Sequence, residues 1–234
     1  MFNRILIIST IAMVSAFSAN ADESVLSYRG DAFDLESGKL LYTEHHRLTL
    51  NDGTPVKRET RYQDGDTNEF ARKENTYHDD PAIPDFNLTD TRYGYREEVI
   101  RDGGKWLVSF SEPDESDDGR LGKPDYIPVI DAGFDEFVRA EWSKLIEDKT
   151  VRFSFAVPSR LEWVNFRLIP LKKDEETLTV EMRLSSRLLS WLLDPVRLTY
   201  DIESRRLLTY RGLTNIRDKD GEGIQAEIRY TYPD

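Results

Sequence analysis

The chain has 234 residues. With 38% hydrophobic, 32% charged and 11% aromatic residues, it has enough core-forming side chains to fold rather than stay disordered. It contains no cysteine, which excludes disulfides, so the fold must rest on buried apolar surface. Asp and Glu number 44 against 32 Lys and Arg, which gives a net charge of −12. This acidic balance argues against a nucleic-acid-binding protein and against electrostatic adhesion to anionic lipid.

The first 21 residues have the three parts of a bacterial export signal. Arg4 supplies a positive charge, the segment from Ile5 to Val14 is apolar, and Ala19-Asn20-Ala21 offers small residues at a cleavage site. We therefore predict that residues 1–21 are a signal peptide and residues 22–234 a single domain exported to the periplasm. No cysteine is present for lipidation, and no later segment reaches the roughly 20 apolar residues of a membrane span. We expect a soluble monomer with no span.

Apolar and polar residues alternate with a period of two through most of the mature chain, which predicts half-buried strands. Short turn sequences rich in Asp, Gly and Ser separate these strands, so consecutive strands are expected to pair as an antiparallel meander. Two proline-containing segments, Asp79–Thr89 and Ser111–Val129, are expected to be long loops. The predicted strands are Leu26–Asp34, Lys39–Leu50, Pro55–Gln63, Asn68–Tyr77, Arg92–Arg101, Lys105–Ser111, Val151–Val157, Thr177–Leu184, Val196–Ile202 and Ile224–Tyr232.

Two segments change to helical spacing. In Phe134–Asp148 apolar residues recur every three or four positions, which predicts an amphipathic helix of about four turns with Asp131 as its N-cap. Ser186–Leu193 is apolar nearly all round and stops at Asp194-Pro195, which predicts a short helix wedged between strands. The alternative for this second segment is an exposed apolar patch that contacts a partner or a membrane.

Together these elements predict a mainly β (α+β) fold, an antiparallel meander forming an open half-barrel wrapped around an inserted amphipathic helix. Across most of residues 25–232 this arrangement resembles the half-barrel of periplasmic lipoprotein carriers, the outer-membrane lipoprotein-sorting superfamily. The ending from Leu208 to Ile216, followed by Gly221 and Ile224–Tyr232, also resembles segments of uncharacterised exported bacterial proteins of this type. The resemblance implies that acyl chains are held between sheet and helix, and it transfers no specific ligand-binding residue.

The candidate binding site is an apolar cavity between the curved sheet and the helix at Phe134–Asp148. Aromatic side chains from the helix and from the strands after it are expected to line this cavity: Phe137, Trp142, Phe153, Phe155 and Trp163. The alternative is that the same side chains pack against one another in a dry core, because protein interiors normally reach crystal-like density.

Catalytic and metal sites are not predicted. The neighbours His45 and His46 point to opposite faces of a strand, and a chain with three histidines and no cysteine lacks ligands for zinc. No nucleophile elbow, Walker loop or zinc-protease motif is present, so we expect neither an enzyme nor a cofactor. Two functions stay open. One is binding or carriage of a hydrophobic ligand, such as a lipid or an acylated protein. The other is an envelope interaction module with a filled core and no ligand.

Overall fold

The computed structural model describes residues 22–186 and 194–233, so the predicted signal peptide and nearly all of the helix predicted at Ser186–Leu193 lie outside the described residues. Fifteen strands belong to one sheet. In chain order they are β1 Glu23–Asp34, β2 Leu40–Asn51, β3 Thr54–Gln63, β4 Glu69–Thr76, β5 Asp85–Asp90, β6 Tyr95–Asp102, β7 Lys105–Glu112, β8 Glu115–Leu121, β9 Ile127–Val129, β10 Val151–Val157, β11 Glu162–Lys173, β12 Thr177–Leu184, β13 Val196–Asp201, β14 Leu207–Arg217 and β15 Gly223–Thr231.

The sheet is a meander joined through its first and last strands. Consecutive strands pair within β1–β8 and within β9–β15, and β1 pairs with β15. These pairings are antiparallel except that the short strand β9 runs parallel to β10. Strands β8 and β9 form the two edges of the described sheet, so the barrel is open. The predicted fold class, an open antiparallel half-barrel, is confirmed.

All ten predicted strands are present, with ends that differ by at most three residues. The prediction of long loops at Asp79–Thr89 and Ser111–Val129 is wrong in part, because these segments contain β5, β8 and β9. In β5, Phe86 and Leu88 are buried, so tertiary packing makes a strand of a segment that begins directly after Pro84. The charged strand β8 is held by its backbone pairing with β7. Strands β11 and β14 were not among the predicted strands.

The predicted helix forms as two short helices, α1 Gly133–Ala140 and α2 Trp142–Ile146, which meet at Glu141. The prediction that Asp131 caps this helix is wrong, because α1 begins after Ala132 and has no side-chain cap. The Asp131 carboxylate instead accepts hydrogen bonds from side chains of the sheet, namely Lys73 at 3.3 Å, Asn75 at 3.0 Å and Asn215 at 3.3 Å. Asp131 therefore ties the start of the helical segment to β4 and β14.

The inward side chains form two apolar cores. The first core lies among β1–β8 and includes residues of β14 and β15. The second core lies between the two helices and β10–β13. Large buried members of the first core are Tyr42, Tyr62, Phe70, Phe86, Leu88, Val99, Phe110, Ile216 and Ile228. Those of the second core are Phe137, Val138, Trp142, Leu145, Phe153, Phe166, Leu168, Leu178, Leu198 and Tyr200.

Side chains bridge the gap between the two sheet edges. Trp106 on β7 and Trp163 on β11 contact each other edge to face, with ring centroids 5.3 Å apart. The Trp163 indole nitrogen donates a hydrogen bond to the Gly122 carbonyl oxygen, directly after β8, at 2.9 Å. The opening of the barrel is thus covered by an aromatic pair rather than by backbone pairing of β8 with β9. Within the described ranges, no helix has both the length and the apolar character needed to cross a membrane.

A substitution at the first residue of α1 tests how closely the helix is held. A Cβ added to Gly133 would lie 2.2 Å from the Ala82 carbonyl oxygen and 2.7 Å from the Pro84 ring. Because alanine favours helix, any loss of stability must come from this close approach. We expect Gly133→Ala to lower the free energy of unfolding by about 1–3 kcal/mol in urea titrations. Gly65→Ala is the control, since nothing lies within 4 Å of its added Cβ. Equal effects of the two substitutions would contradict the packing described.

Candidate functional site

The side chains expected to line a cavity lie mostly inside the second core. Phe137 is 1% exposed and Phe153 is 0% exposed. Their ring centroids are 5.0 Å apart, and Phe153 stacks on Phe166 at 5.7 Å. Trp142 is also buried and contacts Tyr200 edge to face at 6.1 Å. Aromatic rings therefore fill the space that the sequence suggested for a ligand.

The other two predicted site residues lie at the borders of this core. Phe155 is half-buried and contacts Phe153 and Phe166 edge to face. Trp163 packs against the first core, at the gap between the sheet edges. Four of the five residues are thus brought together around α1 and β10, while Trp163 is separate. Ligand binding by these five residues stays a prediction.

A buried charge network fixes α1 against the opposite half of the sheet. Arg58 on β3 is 5% exposed, and its guanidinium donates to Asp135 at 3.4 Å and to Glu136 at 3.5 Å. Arg139, one helical turn later, donates to Asp135 at 3.0 Å and to Glu136 at 2.7 Å. Burial opposes ionisation of Asp135, but the two guanidiniums hold its pKa below its usual value. The helix is therefore anchored by charge to β3 and by aromatic packing to β10.

A second polar chain runs along the inner face of β2 and β3. The buried His46 ring lies 2.8 Å from the Glu44 carboxylate through Nε2 and 3.0 Å from the Thr60 hydroxyl through Nδ1. Tyr28 stacks on His46 at 4.3 Å. Burial lowers the pKa of His46, and the contact with Glu44 offsets this only in part. His45 faces outward, so the prediction that the two histidines point to opposite faces is confirmed.

Thr60, His46 and Glu44 are arranged like the hydroxyl, imidazole and carboxylate of a catalytic triad, but they are buried. Burial prevents them from acting as one. Thr60 is 0% exposed, and its hydroxyl is already bound to His46. A nucleophile must reach a substrate atom, so a fully enclosed hydroxyl cannot act as one. The contacts of His46 with Glu44 and Thr60 therefore provide hydrogen-bond partners for buried polar groups.

Glu97 on β6 is a buried carboxyl of a different kind. It accepts a hydrogen bond from the Tyr95 hydroxyl at 2.5 Å. Burial raises the pKa of Glu97 to about 7, although the Tyr95 hydroxyl opposes this shift. Asp131 adds to the rise, while Arg217 opposes it. Glu97 is therefore a group that titrates near neutral pH inside the first core.

Apolar periodicity alone did not predict these inward polar residues. The signal was present: Glu44 and His46 continue the inward series of Tyr42 and Leu48. Arg58 and Thr60 continue the series of Tyr62 in the same way. A polar residue at an inward position of a strand needs an internal partner, and the sequence could have flagged each of them on that ground.

Two grooves lie on the outer surface of the first half of the sheet. One has a volume of about 620 Å³ and runs across β1, β2 and β3 beside the last described residues. Its charged lining consists of Arg29, His45, Arg47, Glu59, Arg61 and Arg72. The other has a volume of about 560 Å³ across β4 and β5 and shares Arg72. In the part of the chain that the structure describes, no group of three His, Asp or Glu residues is arranged to hold a metal ion.

Comparison with known proteins gives similarity at the level of structure and none at the level of sequence families. The sequence matches no protein-family model and no curated protein. Among solved structures, the chain is similar to a β-barrel-like protein of the DUF1849 domain of unknown function from Brucella abortus. The TM-score is 0.49 at 10% sequence identity, and the match covers 91% of this chain and 97% of that chain.

Removal of the central carboxylate from the helix network should destabilise the fold. Asp135→Asn keeps the side-chain size but leaves Arg58 and Arg139 with Glu136 alone. Because breaking a buried ion pair leaves uncompensated charge, we expect a loss of about 3 kcal/mol in the free energy of unfolding, measured by urea titration. The control is Glu147→Gln, which removes an exposed pair with Lys149 and should change stability by less than about 1 kcal/mol. Similar losses in both variants would refute the network.

Replacement of Glu97 should change how stability depends on pH. Between its unfolded pKa of 4.5 and its folded pKa of about 7, the folded chain binds a proton that the unfolded chain has released. The Glu97 contribution to the free energy of unfolding therefore falls as pH rises through this interval. Glu97→Gln removes that fall, so the variant should gain on the order of 3 kcal/mol over the parent between pH 4.5 and pH 7.5. Urea titrations at each pH measure this gain, and parallel curves for parent and variant would contradict it. Glu98→Gln, on the outer face of β6, is the control.

Proposed function

We propose that this chain is an exported, non-enzymatic interaction module of the bacterial envelope whose half-barrel is filled by its own helix. The observation that carries the proposal is the packing of Phe137 and Trp142 against Phe153, Phe166 and Tyr200. Each of these rings packs against neighbouring side chains of the second core, which supports a structural role for the helix. Export is supported by the signal-like segment at residues 1–21.

The inner polar groups support a module without catalysis. Arg58 and Arg139 pair with Asp135 and Glu136, and His46 contacts both Glu44 and Thr60. Active sites present reactive groups in a cleft that a substrate can enter. The Arg58 network lies beneath helix α1, and the His46 network lies on the inner face of β2 and β3. The contacts within each network support a structural role for it.

Carriage of a hydrophobic ligand, as the resemblance to lipoprotein carriers implies, is the second hypothesis. It requires the helices to leave the second core so that an acyl chain can take their place. Phe137, Val138, Trp142 and Leu145 would then lose their burial, at about 1.5–3 kcal/mol each. The sum approaches the whole stability of an ordinary domain, and the Arg58–Asp135 contact would be lost as well. These magnitudes favour the filled module over the carrier.

Native mass spectrometry of the full-length gene product, expressed and purified from a bacterial periplasmic extract, tests the proposal. We expect the mass of a chain that starts at Asp22, with no adduct, both before and after incubation with bacterial lipid extract. A matched variant, Phe137→Ala, empties part of the second core and should accept small apolar molecules more readily than the parent.

A lipid that stays bound to the parent chain would overturn the filled-module proposal in favour of the carrier. Retention of residues 1–21 on a protein found in the cytoplasm would overturn the export part. The Phe137→Ala variant shows that the assay detects apolar binding in this fold. A ligand-free parent mass therefore supports the module.

A further inference from the structure

A transverse row of basic side chains crosses the outer face of the sheet. Arg29 on β1 is directly opposite His45 on β2, His45 is opposite Arg61 on β3, and Arg61 is opposite Arg72 on β4. Directly opposed residues share one face of a sheet, and their strands are about 4.8 Å apart. Arg29, Arg61 and Arg72 are exposed and His45 is half-buried. We call these four residues the basic row; it spans about 14 Å, three strand spacings.

In the neighbouring row on the same face, Arg47, Glu59 and Glu74 all have partners of opposite sign. Arg47 is opposite Glu59 and lies 3.7 Å from it, and Lys57 lies 2.9 Å from Glu74 and 3.5 Å from Glu59. Glu59 and Glu74 are themselves directly opposed like charges, and Lys57 lies close to both of them and compensates them. Such a shared partner matters, because like charges directly opposite each other destabilise a sheet surface.

In the basic row, no carboxylate of the described residues pairs with both opposed cations, Arg61 and Arg72. Arg61 and Arg72 are directly opposed like charges. Arg29 and Arg72 have acidic partners at the ends of the row, Asp31 at 2.5 Å and Glu69 at 2.6 Å. Among residues 22–186 and 194–233, neither His45 nor Arg61 forms an ion pair. Arg61 thus gives the centre of the row a positive charge without an acidic partner, on a chain whose net charge is −12.

The basic row lies in concave surface. Its four residues line the groove of about 620 Å³, and Arg72 continues into the second groove of about 560 Å³. Volumes of 300–1,000 Å³ are typical of small-molecule sites. Four arginines and one glutamate are among the residues that line the larger groove, so its charge favours an anion over a cation.

We propose that the basic row is a binding site for a soluble, extended anion that carries two or more phosphate groups. This inference rests on the proposed function, an interaction module, and names its ligand class. One guanidinium satisfies both oxygens of a carboxylate, whereas a phosphate has enough oxygens for two converging guanidiniums. The opposed pair of Arg61 and Arg72 therefore matches phosphate, and a second phosphate about 10 Å away would meet Arg29 and His45.

A soluble ligand fits the site better than a lipid surface that carries the same phosphate chemistry. The row lies in a groove, which a flat bilayer cannot follow. The chain as a whole is acidic and would be repelled by an anionic membrane over distances of about 8–10 Å, the screening length at physiological salt. A small anion can approach closer than the screening length, where the arginines of the groove act on it more strongly than the net charge of the chain.

Isothermal titration calorimetry with tripolyphosphate on the purified mature protein tests the site. We expect saturable binding that weakens at least tenfold between 50 and 200 mM salt. Arg61→Gln with Arg72→Gln should weaken binding at least tenfold, whereas Arg61→Lys with Arg72→Lys should lose only part of it, because charge is kept and bidentate geometry is lost. The matched control, Arg120→Gln with Arg160→Gln, removes two exposed cations that line neither groove and should leave binding unchanged.

Four outcomes decide the proposal. Equal binding by the parent and the Arg61/Arg72 glutamine variant would overturn it, as would equal affinity for tripolyphosphate and citrate. Flotation with vesicles of 30% phosphatidylglycerol without tripolyphosphate binding would also overturn it, in favour of a lipid surface. Loss in the glutamine variant, with an unchanged thermal melting curve, supports it. Failure of the filled-module proposal would appear as lipid retention in mass spectrometry, and failure of the anion site would appear in calorimetry. The two failures are therefore distinguishable.

Discussion

The filling of the sheet's inner face by the inserted helices is the constraint on which the rest of the structure depends. Fifteen strands in an open sheet present a large inner surface, and a chain without cysteine must cover that surface with side chains alone. Helix α1 reaches both halves of the sheet. Phe137 joins the ring cluster with Phe153, and Asp135 meets Arg58 from β3. In the described sheet these halves share one backbone pairing, β1 with β15, so the helix supplies a second connection between them.

The two cores differ in what they could hold. The second core is ringed by aromatic and aliphatic groups around the helices, and side chains fill it. The first core includes Tyr42 and Tyr62 and borders the buried carboxyl groups Glu44 and Glu97. An acyl chain placed beside those carboxyls would satisfy none of their hydrogen bonds, and an unsatisfied buried polar group is costly. The two cores thus differ in the groups beside them: the second is aromatic and aliphatic around the helices, and the first borders buried carboxyls.

The sequence predicted the elements whose periodicity was complete and missed those where packing overrides local preference. Strands such as Val151–Val157 were predicted to the residue, because alternation and turns agreed there. Strand β8 was missed because Glu115, Asp117 and Asp118 favour a solvated loop, and only its pairing with β7 makes it a strand. Asp131 was misjudged as a cap because a capping motif cannot show that Lys73 and Asn75 compete for the same carboxylate. The aromatic candidates were found, but their packing against one another depends on contacts far apart in sequence.

Strand alternation lets one segment serve both the fold and the surface. His46 faces inward, where Glu44 and Thr60 fix it, while His45 faces outward in the basic row. Because the inner positions carry the packing, the outer positions can hold an arrangement that is unfavourable for stability, such as Arg61 opposite Arg72. Opposed cations on an exposed strand face destabilise the sheet by only a few tenths to about 1 kcal/mol, and the buried core offsets that. The outer face of β1–β4 is therefore where we place the proposed anion site.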